Sequence, residues 1–349
     1  SRIRPRSRSQ LGFPGSGLDM SRSRGRTPCT GEDVPAWVMP IVLPTPYPIG
    51  PVTVYLLEGE PLTLVDTGPA TRAARRALAA ALAARGLAPT AISRVLLTHG
   101  HHDHFGQARA LARCGATLYA HPFDARNLKK ARGYSLLWRQ LGRSGMAVTK
   151  RVLLVASLHV LDLTARPVRS FEPLADGEEL PHNRAAIRVH HLPGHTPGHV
   201  GFELVGEGAI ITGDTVLDGI TPNAVIDTDP VKPEEPFLSV GAYAESLVRL
   251  ERLHPRVLLP AHGPCITDVS GQTARLLARQ RERAQEVLAA LAPGPATVAE
   301  LIGMLFPRVR FLGIFLAFSE VLGHLLELEH RGLVRRVSGR RTDRWHLAG

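Results

Sequence analysis

The sequence predicts an α/β protein in which strands and helices alternate in two successive halves. Short apolar runs bounded by turn residues are typical of buried strands, and longer patterns with apolar residues at helical spacing lie between them. The predicted strands lie at 52–58, 62–66, 94–98, 187–192, 200–205 and 209–213, and RVLLPAHGP at 256–264 predicts one further strand and a loop. The predicted helices lie at about 71–85, 123–166 and 240–253. This alternation indicates sheets packed between helical layers.

The composition indicates a folded chain with a large core. Apolar residues make up 44% of the 349 residues, which suffices for one large domain and a smaller second one. No apolar run reaches the roughly 18–20 residues that a membrane-spanning helix needs, and the first residues lack the apolar core of a secretory signal. We therefore expect a cytoplasmic protein without a membrane partner.

The chain divides into three predicted parts. Residues 1–33 are rich in Arg, Ser, Gly and Pro and lack hydrophobic periodicity, so we expect them to be disordered. A catalytic domain is predicted at 34–270, with a helical insertion at about 123–166. Residues 271–349 are predicted to form a long helix followed by a small domain.

Charge and cysteine content narrow the classes of function. The net charge of +11 resides at the ends, because residues 1–26 hold seven Arg and one Asp and residues 331–346 hold six Arg and one Asp. The body between them is neutral overall. Cys29, Cys114 and Cys265 are odd in number, far apart and never in a CxxC pair. We therefore expect neither a disulfide framework nor a thiolate zinc site, and we expect Cys265 to be a lone packing residue in a reducing compartment.

The segment HGHHDH concentrates metal-binding side chains directly after a predicted buried strand. His99 and His101 stand two positions apart, so their imidazoles point to the same side of an extended loop, and Asp103 and His104 follow. Packing does not account for this density of ligand types, whereas metal binding does. A loop at the end of a strand lets such side chains converge without disturbing the sheet.

Three later segments each add one ligand after a strand-like run: His195 in LPGHTPGH, Asp214 in ITGDTV and His262 in LPAHGP. A divalent ion in a catalytic site takes three protein ligands plus water, so two ions that share a carboxylate need six terminal ligands and a bridge. The two sets of residues together supply that number. The sequence therefore predicts a site for two divalent metal ions.

The motifs HxHxDH, PGHTPGH, TGDT and PAHGP, in this order between about 40 and 265, resemble those of the metallo-β-lactamase superfamily. The resemblance implies an αββα sandwich, to which the insertion and a C-terminal winged-helix domain are added. It also implies the ligand sets, namely His99, His101 and His195 for one metal and Asp103, His104 and His262 for the other. Asp214 would bridge both metals, and Asp66 would hold the ligand loops in place.

The implied activity is that of a dinuclear metal-dependent hydrolase, in which a metal-bound hydroxide attacks a thioester or related ester. Asp103 is the expected catalytic residue, because its carboxylate can orient the nucleophile and accept its proton. The nitrogen-rich ligand set favours Zn²⁺, with iron and manganese as alternatives. His102 and His199 stand inside the motifs but are not expected to bind metal.

The substrate stays open, because members of the superfamily share the metal site and differ in what they hydrolyse. Similarity to glyoxalase II-like hydrolases favours a small-molecule thioester or ester. In an acyl-carrier or acyl-CoA thioesterase, the insertion at 123–166 would cover an acyl pocket. The alternative is that its apolar residues only pack the insertion onto the body.

The C-terminal segment suggests two further functions. Its pattern of helix, helix and two short strands around a Gly-Arg turn is typical of a winged helix, and Gly332 stands where a helix would end. With the preceding PAHGP, it resembles the winged-helix group of β-lactamase-like proteins, whose animal members cleave single-stranded RNA. RNA could then contact the basic C-terminal domain. A non-catalytic nucleic-acid-binding sensor is the other alternative, and the same domain could instead form a homodimer contact.

Overall fold

In the computed structural model of the chain, two β-sheets stack face to face and helices cover their outer faces. This is the αββα sandwich of the predicted α/β class. The described residues are 29, 31–129, 134–222, 225–309 and 312–349. Residues 1–28 and 30, most of the segment expected to be disordered, lie outside them.

The first sheet has six strands, which neighbour one another in chain order. They are Val38–Leu43 (β1), Val52–Leu57 (β2), Thr63–Val65 (β3), Arg94–Leu96 (β4), Thr117–Ala120 (β5) and Glu172–Pro173 (β6). Strands β1, β2 and β3 pair antiparallel, whereas β3 to β6 are parallel.

The second sheet has five strands, in the order β11-β10-β9-β8-β7. They are Glu179–Leu180 (β7), Ile187–His191 (β8), Val200–Leu204 (β9), Ala209–Gly213 (β10) and Val257–Pro260 (β11). Strands β8 and β10 are both antiparallel to β9, and β11 is parallel to β10. The carboxyl ends of β8, β10 and β11 therefore lie at one edge of the sheet.

The helices are Arg72–Ala83 (α1), His102–Phe105 (α2), Ala108–Arg113 (α3), Ala125–Leu128 (α4), Ser135–Arg143 (α5), Val148–Leu161 (α6), Ser239–Arg252 (α7), Val269–Leu291 (α8), Val298–Leu305 (α9) and Leu312–His330 (α10). Helix α1 shows which local features of the sequence favour a helix. The side chain of Thr71 caps its first turn by accepting from the Ala74 N–H, and Ala74, Leu78 and Leu82 form a buried stripe at i, i+4 and i+8. Helices α4, α5 and α6 lie within the range predicted as an insertion.

The core between the sheets contains side chains from both of them, among them Leu57 and Leu96 from the first sheet and Phe202 and Leu259 from the second. All four are fully buried. Every residue of β2 is buried, because one face of the strand meets the other sheet and the opposite face meets helices. At about 25 cal/mol per Å² of apolar surface, this burial is the main stabilising contribution.

The C-terminal part packs as a separate cluster around α8, α9 and α10. A capping box between Thr297 and Glu300 begins α9, and Gly332, with φ of 71°, follows the end of α10 as predicted. A hairpin of Val334–Ser338 (β12) and Asp343–Leu347 (β13) completes the chain. Its order of elements matches the one that led to the winged-helix assignment, which stays a prediction.

The structure corrects two expectations about the start of the chain. Strand β1 precedes the predicted first strand, and Pro40 within it had weakened the strand pattern; β1 lies at the sheet edge, where a proline is tolerated. Cys29 is buried and forms a disulfide with Cys265, so the fold includes a residue that the sequence assigned to the disordered segment. Cys265 is therefore not a lone thiol, and the argument for a reducing compartment no longer holds.

Among the described residues, no helix has the length and apolar character that crossing a membrane requires.

Candidate metal centre

Ligand-bearing loops from both sheets meet at one edge of the sandwich. His99 follows β4, and Asp66 follows β3, its parallel neighbour. His195, Asp214 and His262 follow β8, β10 and β11, whose carboxyl ends share one edge. Parallel strands thus bring these side chains to the same place although the chain separates them by up to 196 positions, from Asp66 to His262.

Three imidazoles form the first cluster. His99 Nε2 lies 3.0 Å from His101 Nδ1, and His195 Nε2 lies 2.9 Å from the same atom. One ligand atom from each of the three residues can be chosen so that all lie within 4.8 Å of one another. Donors held about 2.1 Å from a tetrahedral ion are about 3.4 Å apart, so these spacings match a metal site.

The second cluster joins Asp103, His104 and His262. His104 Nε2 lies 3.8 Å from an oxygen of Asp103, and His262 Nε2 lies 3.6 Å from the other. Asp214 stands between the clusters, 3.5 Å from the Nε2 atoms of both His104 and His195. The structure thus brings together all seven predicted ligand residues, with Asp214 in the central position expected of a bridge.

Three polar atoms in the centre are buried without a hydrogen-bond partner: His104 Nε2, Asp214 Oδ1 and His262 Nε2. Buried polar atoms are nearly always hydrogen-bonded, and leaving one without a partner costs about 1–3 kcal/mol. His262 Nε2 lies 3.7 Å from Asp214 Oδ1, and His104 Nε2 lies 3.5 Å from the other oxygen of that carboxylate. Divalent cations bound between these residues would satisfy the three atoms.

Hydrogen bonds on the far side of each ring orient the ligands. His104 Nδ1 donates to Asp66 Oδ2 at 2.8 Å, and His262 Nδ1 donates to the carbonyl of Pro51 at 2.7 Å. Each bond fixes a tautomer that leaves Nε2 free to bind metal. Asp66 also accepts from the N–H and hydroxyl of Thr98, and its φ of 58° places it in the left-handed region. A non-glycine residue in that region is typical of functional sites, and Asp66 has the supporting position that the sequence predicted.

The ionisation states differ among the residues of the centre. Burial lowers the pKa values of His104 and His262, but the carboxylate of Asp214 outweighs it and raises both, so these rings bind metal only after losing a proton. Burial and the neighbouring imidazoles of His104 and His101 hold the pKa of His99 well below its usual value, so the ring is neutral. Burial opposes ionisation of Asp214, but the adjacent His104 and His262 hold its pKa well below the usual range. Neutral imidazoles and ionised carboxylates are the forms in which these side chains bind metal.

Asp124 is a buried carboxylate that the sequence analysis did not identify. Its Oδ2 accepts from the Gly100 N–H at 2.6 Å and the Thr196 hydroxyl at 2.8 Å, and its Oδ1 accepts from the Gly198 N–H at 2.8 Å. It therefore joins the loop of His99 and His101 to that of His195. A side chain at Gly100 would lie 2.5 Å from Asn127 Cβ, so the contact requires glycine. The one sequence signal is its position just after β5, the neighbour of β4.

The remaining histidines lie outside the two clusters. His102 lies at the rim, as expected, where Nε2 is 3.2 Å from an Asp162 oxygen. His199 is buried; its Nε2 accepts from the backbone N–H of Asp214 and so helps to place that residue. His190 hydrogen-bonds Glu203, and His191 stacks on His121, so these residues have packing roles.

A cavity of about 340 Å³ opens on the centre. His101, Asp103, His195 and Asp214 line one end, and the walls are mainly Leu, Ile, Val, Pro and Phe side chains. The sequence could not show this cavity, because its walls come from α5, α6, α10 and loop residues at 47–49, 217–222 and 225–228.

Comparison with known proteins identifies the family. The profile of the metallo-beta-lactamase superfamily matches residues 47–262, more than half of the chain. The chain belongs to this superfamily. The matched residues include all seven predicted ligands, and the chain is accordingly a hydrolase of a family that binds metal ions.

Individual metallo-beta-lactamase relatives extend the similarity to the C-terminal part. The probable metallo-hydrolase YqjP of Bacillus subtilis (strain 168) is 32% identical over 86% of this chain and 93% of its own length. A metallo-beta-lactamase family protein from Thermus thermophilus is 31% identical, with a TM-score of 0.77 over 89% of this chain and 98% of its own. An atrochrysone carboxyl ACP thioesterase of Aspergillus fumigatus is 29% identical over 74% of this chain and 69% of its own.

Proposed function

We propose that this metallo-beta-lactamase superfamily member hydrolyses thioesters with two bound divalent ions. The observation that carries the proposal is the apolar cavity that ends at the His and Asp cluster. A thioester has an apolar acyl group on one side of its reactive carbon. Such a substrate places the acyl group in the cavity and the reactive carbon beside the ligand atoms.

The residues present fit two ions. His99, His101 and His195 would hold one, Asp103, His104 and His262 the other, and Asp214 both. The three unpartnered buried atoms support this assignment, because each lies within 3.7 Å of a ligand atom of another residue in the set. Five of the seven ligands are imidazoles, which favours Zn²⁺ over Mg²⁺ or Ca²⁺, with iron and manganese as alternatives.

Hydrolysis joins a water oxygen to the acyl carbon and breaks the carbon–sulfur bond, releasing a carboxylic acid and a thiol. Divalent ions in such a site lower the pKa of water and polarise the acyl carbonyl. Asp103 lines the cavity, and we assign to its carboxylate the orientation of the attacking water and the acceptance of its proton. Asp66 and Pro51 keep the imidazoles of His104 and His262 in place throughout.

The charge around the cavity supports a thioester over RNA. Among the described residues that line it, Arg126 is the one Lys or Arg, and its guanidinium donates to the Thr228 hydroxyl at 3.0 Å. A single-stranded RNA would require several cations along its phosphates. The Arg-rich hairpin follows His330, and about 20 Å of helix separates His330 from Leu316 at the cavity, at 1.5 Å per residue.

The name of the Aspergillus fumigatus relative adds support, because that protein is described as a thioesterase. Acyl-carrier thioesters share the acyl group and sulfur of small-molecule thioesters.

The test compares zinc-loaded wild type with Asp214→Ala on octanoyl-N-acetylcysteamine and on a single-stranded RNA 20-mer. We expect thioester turnover by the wild type, its loss in the variant, and intact RNA with both. RNA cleavage that is lost in Asp214→Ala would replace the proposal with the ribonuclease. RNA binding without turnover of either substrate would indicate the non-catalytic sensor.

A further inference from the structure

We propose that the cavity is an alkyl-chain site and that helix α10 sets the longest acyl group that fits. The inference deepens the proposed thioesterase and rests on it for the identity of the reacting group. It concerns a part of the chain beyond residue 262, where the superfamily match ends. The C-terminal segment then has a role in substrate selection.

The geometry assigns one end of the cavity to chemistry and the rest to apolar binding. Leu136 and Leu137 contribute from α5, Leu158 and Leu161 from α6, and Phe315 and Leu316 from α10. Helix α10 is held rigidly at its other faces, since Phe318, Val321 and Leu325 are fully buried in the C-terminal core. A wall packed in this way cannot retreat at low cost to admit a longer chain.

Three polar side chains of the cavity, those of Tyr134, His102 and Arg126, are paired with protein groups. The Tyr134 hydroxyl donates to Asp162 Oδ2 at 2.9 Å, and His102 lies 3.2 Å from the other oxygen of the same carboxylate. The guanidinium of Arg126 binds Thr228. These pairs hold the polar atoms against the protein, and a polar ligand would have to break them. An alkyl chain breaks none of these hydrogen bonds, and its transfer from water into the cavity lowers the free energy.

The volume of the cavity determines how long an acyl chain it can hold. A methylene is close in size to a water, whose share of the liquid is about 30 Å³, so 340 Å³ corresponds to a chain of about eleven carbon atoms. Burying one methylene improves binding about fourfold. Affinity and kcat/KM should therefore rise about fourfold per methylene and then stop rising near that length.

Two measurements test the inference separately from the proposed activity. The first is calorimetric titration of metal-free protein with straight-chain carboxylates of four to fourteen carbons, which needs no catalysis. The second is kcat/KM of the zinc-loaded protein on N-acetylcysteamine thioesters of the same chains. Leu316→Trp narrows the α10 side of the cavity, and Leu158→Trp narrows the facing side. Met304→Trp, at an exposed position on α9, adds the same bulk elsewhere.

We expect Leu316→Trp to shorten the longest preferred chain by two or more carbons in both measurements, while Met304→Trp matches the wild type. Leu158→Trp provides the same test from α6 if the first variant does not fold. Equal affinity for all chain lengths would overturn the inference. An unchanged longest preferred chain in both Leu316→Trp and Leu158→Trp would overturn it too. Chain-length-dependent binding without thioester turnover would refute the proposed function and leave the alkyl site standing. Thioester turnover at the same kcat/KM for all chain lengths would support the proposed function and refute the alkyl site.

Discussion

Asp124→Asn tests whether one buried carboxylate holds the two ligand loops together. The carboxylate accepts three hydrogen bonds, from Gly100 and Thr196 on one oxygen and from Gly198 on the other. An amide has one acceptor oxygen, so its NH₂ must face at least one of the backbone N–H groups. That N–H is then buried without a partner.

The expected losses of stability and of metal affinity follow from the number of contacts that Asp124→Asn removes. Losing one hydrogen bond to a charged group, with one buried N–H left unsatisfied, costs about 3 kcal/mol. The loops of His101 and His195 should also lose their fixed separation, which is 2.9 Å between ring nitrogens. Loss of a residue that orients metal ligands typically weakens metal binding by about 10–100-fold. We expect both effects in Asp124→Asn.

Guanidinium unfolding of the metal-free protein and zinc titration against a chromophoric chelator measure the two effects. Asp229→Asn is a matched control, because Asp229 accepts from the N–H groups of Val231 and Lys232 within its own exposed loop. The control should lose less than about 1 kcal/mol and keep wild-type zinc affinity. Wild-type zinc affinity in Asp124→Asn would refute the role in positioning the loops.

Three further perturbations probe other parts of the molecule. Asp214→Ala should lose bound metal by equilibrium dialysis as well as all hydrolysis, and a variant that retains a full metal complement would disprove the bridge. Cys29→Ser should lower the free energy of unfolding by up to about 5 kcal/mol, since the disulfide joins residues 236 positions apart. Cys114→Ser, which removes an exposed free thiol, is the control. Equal denaturation midpoints for the two variants would contradict the prediction. Burial lowers the pKa of His324 to about 4, so below its usual value of 6.5 the unfolded chain takes up the proton first, and stability should fall by about 3 kcal/mol between pH 6.5 and 4. An unchanged pH slope in His324→Gln would exclude His324 as its source.

The amino-acid sequence alone was enough to predict the local chemistry of the chain. Apolar runs at strand or helix spacing located most of the elements, and the ligand motifs stood at strand ends, where neighbouring loops meet. The seven ligands could therefore be named, and their resemblance to a superfamily implied how they group. The structure brings the members of each predicted triad together, and it also places His99, His104 and Asp214 close to one another. The assignment of ligands to two ions stays a prediction. Elements with weak local patterns were missed, as β1 with Pro40 shows.

Contacts between residues distant in sequence were decided by the tertiary structure alone. Cys29 and Cys265 pair across 236 positions, and spacing gives no sign of such a bridge. In the sequence, Asp124 does not differ from the many other acidic residues. Only the structure shows that three hydrogen-bond donors from two loops surround it. The cavity has no sequence motif, because apolar residues that line a wall follow the same pattern as apolar residues in a core. Which of them face a ligand depends on how α5, α6 and α10 pack together, and that packing is set by the whole fold.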